Sequence, residues 1–146
     1  LLKSLMIYKA LRFISHLYNS SNQYSVHSPV VYKLLTECIY KEEKKKLKKN
    51  IHFLNLSLTK NYKKQFSINT IENILTNKLS KILKEYCKNK ENTILIIKNI
   101  KFKNEYSIWK QLIKRKEIQV SIDFYYFGII ILKVNKLQKQ DYIIRL

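Results

Sequence analysis

The sequence predicts an α/β protein: two helices, then a partial sheet of about five strands that begins with a parallel pair. Three observations carry this. Apolar residues recur three and four apart through the first 40 residues, the period of helices with one buried face. "TILII" (Thr93–Ile97) is an unbroken apolar or β-branched run of strand length, set between two helical patterns. Beyond it, "IQVSIDF" alternates with period two, as a strand with one buried face does.

The elements follow in order. Leu2, Leu5, Met6, Ala10, Phe13, Ile14 and Leu17 form one face of a first helix, residues 2–18, and that face is expected to pack on the domain. Its basic side offers a contact for an anionic membrane surface. Ser28 is placed to cap a second helix with Pro29 as its first residue. The cap oxygen satisfies a free N–H, and proline has none to lose. Val30, Val31, Leu34, Leu35, Cys38 and Ile39 line its apolar side. "KEEKKKLKKN" (Lys41–Asn50) is expected to be a solvated linker. "IHFLNLSL" (Ile51–Leu58) is expected to be a strand, and "NYKKQFS" a loop. Asn69 with Glu72 resembles a capping box, opening a helix along Ile71, Ile74, Leu75, Leu79, Ile82, Leu83 and Tyr86. The strand Thr93–Ile97 closes a βαβ unit, expected to be right-handed. A shorter helix turns Ile108, Trp109, Leu112 and Ile113 inward. Gly128, the only glycine, lies within "YYFGIIILKV" and is expected at a bend or a positive-φ turn. "DYIIRL" reads as a last strand. The division expected is 1–40 helical, 41–50 linker and 51–146 α/β domain.

Composition narrows the function. No apolar run approaches the roughly 18 residues of a membrane span, and the N-terminal stretch lacks a signal-peptide cleavage pattern. Cys38 and Cys87 are expected to be free buried thiols in a reducing cytoplasm. His16, His27 and His52 are scattered, so no metal set is expected. The net charge is +19, with 29 basic residues. Only Arg12, Arg115 and Arg145 are arginines, the residue preferred for bidentate phosphate and base contacts. Non-specific association with polyanions such as RNA or DNA is the expectation from charge.

The motifs add a resemblance. "YSVHSPVVYKLL", "IKNIKF", Trp109, "VSIDFYYFGIIIL" and the terminal "YIIRL" together resemble a class I S-adenosylmethionine-dependent methyltransferase family, of the bacterial O-methyltransferase-like kind. The likeness covers roughly residues 5–40 and 67–146. It implies a partial doubly wound, Rossmann-like methyltransferase sheet with a C-terminal antiparallel part, and S-adenosylmethionine as the ancestral cofactor. It also implies acids at the end of the strand that here ends in Lys98 and Asn99. Protonated lysine ligates no divalent cation, and asparagine adds only a neutral carbonyl. The glycine-rich turn that such a fold uses to approach its cofactor has no counterpart. A βα step needs about 30 residues, more than the stretch from Ile39 to Ile51 provides. The expectation is a shortened, degenerate and catalytically inactive relative that binds no cofactor or metal. Its candidate site residues are Lys98, Asn99, Asp123 and His27. An alternative is an interaction protein, pairing as a homodimer or with a partner chain along the edge of strand 51–58. The other alternative is a basic, non-specific nucleic-acid binder.

Overall fold

A computed structural model describes residues 1–89, 91–132 and 138–146. The chain is α/β, with a five-stranded mixed sheet between two helical layers. Helix α1 (Leu2–Asn19) comes first. Helix α2 (Pro29–Leu34) follows and continues into a wider π-helical turn, Leu35–Ile39. Ser28 caps α2 as expected, its Oγ accepting the Val31 N–H at 3.5 Å with Pro29 in the first turn. The charged run is more than a linker: it contains helix α3 (Lys44–Lys49), whose Leu47 is fully buried.

The segment expected as a strand at 51–58 is instead helix α4 (His52–Tyr62). Its apolar residues satisfy two periods at once. Leu54, Leu56 and Leu58 alternate, while Ile51, Leu54, Leu58 and Tyr62 recur three and four apart. Burial selects the second set and leaves Phe53 and Leu56 exposed. The partner surface expected along a 51–58 edge therefore does not exist.

The first strand is β1 (Ser67–Ile71), followed by α5 (Lys78–Asn89), β2 (Thr93–Lys98) and α6 (Lys103–Leu112). Asn69 lies inside β1 and starts no helix; the helix begins nine residues later, and Ile71 pairs with Ile97 in the ladder. Strands β3 (Val120–Asp123), β4 (Phe127–Leu132) and β5 (Gln140–Ile143) complete the sheet. The order is β1-β2-β4-β3-β5. β1 and β2 are parallel, β4 runs antiparallel to both its neighbours, and β5 is parallel to β3. Lys133 and Val134, expected to prolong β4, lie outside the described residues. β3 was expected to bury one face and buries both, since it sits between β4 and β5.

Alternate residues of β2 and β4 feed two cores. Ile94, Ile96, Ile129 and Ile131 pack with α2, α3 and α4. Leu95, Ile97, Ile130 and Leu132 pack with α5 and α6. Gly128 corrects a further expectation. It has no positive φ and lies within β4, under the Trp109 ring of α6. Among the described residues the left-handed ones are Asn99 (φ 64°) and Tyr125 (φ 72°). Cys38 is buried but Cys87 is exposed, against the expectation of two buried thiols.

Helix α1 is inverted relative to expectation. Its buried residues are Arg12 and His16; Leu2, Leu5, Met6, Ile7, Leu11 and Ile14 are exposed, and Leu17 is half-buried. The reason is electrostatic: Asp123 is buried at the end of β3, and a buried carboxylate requires a partner.

Candidate functional site

β1, β2 and β3 run in one direction, so their carboxyl ends share one edge of the sheet. Crevices at that edge are where open α/β sheets bind ligands. A crevice of about 200 Å³ lies there, bordered by Lys48, Ile51, Glu72, Lys98, Asn99 and Tyr126. A second, of about 250 Å³, shares Ile51, Glu72 and Lys98 with it and adds His52, Asn55 and Thr70.

The strand ends set the chemistry of this crevice. β1 delivers Glu72 and β2 delivers Lys98. The Lys98 ammonium donates to both Glu72 carboxylate oxygens, at 2.7 Å and 2.5 Å. Each charge is thus neutralised by its neighbour. Asn99 then takes the left-handed conformation, which asparagine tolerates better than most residues. Its N–H donates to the Tyr126 carbonyl at 3.0 Å, locking the end of β2 to the β3–β4 hairpin. At the crevice wall, the Asn55 amide donates to Thr70 Oγ1 at 2.6 Å.

Asp123 is on the same edge, but two strands away from β2. Its ladder partner Gly128 also faces Ile97, which puts Asp123 roughly 10 Å from β2 by strand spacing. It belongs to a different cluster. Arg12 Nη2 donates to its two oxygens at 3.0 and 3.3 Å. The Tyr125 N–H donates to Oδ1 at 2.7 Å, and His16 Nδ1 lies 3.6 Å away. The guanidinium stacks 3.6 Å from the Tyr106 ring centroid. Burial pushes the His16 imidazole below its ordinary value of 6.5; Asp123 opposes that shift and Arg12 reinforces it. Burial likewise raises the Tyr106 and Tyr125 phenols. This cluster docks α1 on the hairpin: the Tyr125 hydroxyl also donates to the Lys9 carbonyl at 3.1 Å.

Lys98 and Asn99 therefore come together as expected. Asp123 joins α1 instead, and His27 is exposed before α2. Sequence reasoning missed Glu72, which it assigned to a helix cap. It also missed Arg12 and His16, whose i, i+4 spacing on α1 was the available signal.

The fold and site define an α/β protein with Rossmann-like layering and an ion-paired crevice at the carboxyl ends of its parallel strands. No family model matches the chain, and no curated protein or solved structure matches it.

Proposed function

We propose that the chain is a methyltransferase-like protein by descent that neither holds S-adenosylmethionine nor transfers a methyl group. The observation carrying this reading is the Glu72–Lys98 pair in the crevice. The resembled family implies acids at the end of this strand. Here a cation stands there, paired with the Glu72 carboxylate. A sulfonium donor is itself cationic, so this arrangement offers it no attraction. The turn from β1 into α5, Glu72–Asn77, contains no glycine and buries Ile74. The only glycine is committed to Trp109. The stretch between Ile39 and Ile51 is occupied by α3, anchored through Leu47. The reversed β4, inserted between β2 and β3, supports the ancestry by matching the antiparallel end that the resemblance implies. Calorimetric titration with S-adenosylmethionine tests the reading. No saturable heat is expected; micromolar binding would overturn it.

A second reading is favoured by β1, which among the described residues pairs only with β2 and leaves its outer edge open to another strand. Cross-linking through a cysteine introduced at Asn69, with the exposed Cys87 replaced by serine, tests it: capture of a second strand is expected, and an uncross-linked monomer at high concentration rejects it.

A further inference from the structure

Helix α1 presents its apolar side to solvent. Leu2, Met6, Ile7, Leu11, Ile14 and Tyr18 lie on that side, with exposures from 60% (Ile7) to 89% (Tyr18). Monomeric proteins rarely expose a contiguous patch of this kind, so something covers it. Charge identifies what. α1 contains no Asp or Glu. Beside it the Phe102 ring carries the Lys9 and Lys101 ammonium groups at 4.8 and 5.2 Å. The Tyr126 ring carries Lys48 and Lys101 at 5.4 and 5.5 Å. The Tyr126 ring is continuous with α1 through the Phe13–Tyr125 and Tyr125–Tyr126 contacts, 5.1 and 4.9 Å between centroids, and the Phe102 ring meets α1 through Lys9. Cations thus lie along the margin of α1 where Phe13 meets Tyr125. A second copy of the chain brings another +19 and the same cations, which opposes self-association through this face.

We propose that α1 is an interfacial membrane helix, and that its outward face and lysine edge dock on a bilayer containing anionic phospholipid. The helix lies in the plane of the headgroups and inserts Leu2, Met6, Ile7, Leu11, Ile14 and Tyr18 into the acyl boundary. Lys9, Lys48 and Lys101 meet the lipid phosphates, an attraction that salt screens. Lys3, within the same side, reaches the headgroups by extending its stem along the surface. Arg12 and His16 remain turned toward Asp123, so docking leaves the buried cluster intact. No helix among the described residues is long and apolar enough to cross a membrane, and surface attachment requires none.

The test is co-sedimentation of the full chain with vesicles of phosphatidylcholine alone or mixed with phosphatidylglycerol. Binding is expected to the mixed vesicles only, and to weaken at high salt. The double variant L11Q/I14Q changes only exposed side chains. It is expected to lower partitioning by about tenfold or more while leaving the thermal melt unchanged. Absence of binding to mixed vesicles overturns the proposal. So does binding that L11Q/I14Q leaves intact, which would reflect lysine adhesion alone. A lipid-free dimer that L11Q/I14Q dissolves also overturns it, by showing that a second copy covers the face.

Discussion

Gly128 of β4 lies directly beneath the indole of Trp109: a Cβ at this position would sit 2.5 Å from Cζ3 and closer still to Cη2. The indole is fully buried between α6 and the sheet. Gly128→Ala therefore forces a rigid ring to move in a packed core. A loss of about 1–3 kcal/mol is expected, read as a lower urea midpoint. Combining it with Trp109→Leu should cost less than the two changes added, because the second removes the obstacle the first creates.

Arg12→Ala leaves the Asp123 carboxylate buried without its cation. The expected cost is about 3–5 kcal/mol, measured by denaturant unfolding. Asp123→Asn in the same background should recover part of it, since the amide carries no charge to strand. Faster proteolysis within α1 of the single variant would show that the helix has undocked.

His16 makes stability depend on pH. Burial depresses its folded pKa below 6.5. As pH falls through 6.5, the unfolded chain gains a proton that the folded chain refuses. Stability therefore declines on acidification from that point, until His16 protonates in the folded state as well. Above 6.5 both states are neutral here, and the contribution is flat. Urea midpoints measured from about pH 8 to pH 5 should show this decline, and His16→Gln should remove its share of the slope.

The Glu72–Lys98 pair is expected to contribute little to stability despite its short distances. Glu72 is largely exposed, and exposed pairs contribute about 0–1 kcal/mol. Lys98→Met should shift the melt only slightly, with the effect of Glu72→Gln similarly small. A large loss from either would place the pair in the folding core rather than at an open crevice.

Much of the architecture was legible where one residue has one physical use. Ser28 and Pro29 mark a helix start because cap oxygen and missing N–H both fit only there. Thr93–Ile97 is too short and too β-branched for a buried helix, and it is a central strand. Ile51–Leu58 was ambiguous because its apolar residues fit two periods, and only the covering layer at Leu54 and Leu58 decides between them. Gly128 misled because absence of a side chain serves close packing as well as turning. The buried cluster was hidden for a different reason. Hydropathy assigns Arg12 and His16 to solvent, whereas Asp123, more than 100 residues away, draws them inward.

The division of β2 and β4 between two cores has a consequence for how the molecule opens. Deuterium cannot reach their amides through loss of either helical layer alone, since the opposite layer still holds every second side chain of the same strands. Their exchange must therefore wait for the whole molecule to come apart, while the amides of α1, held mainly by ionic and polar contacts at one end of the sheet, trade their protons early.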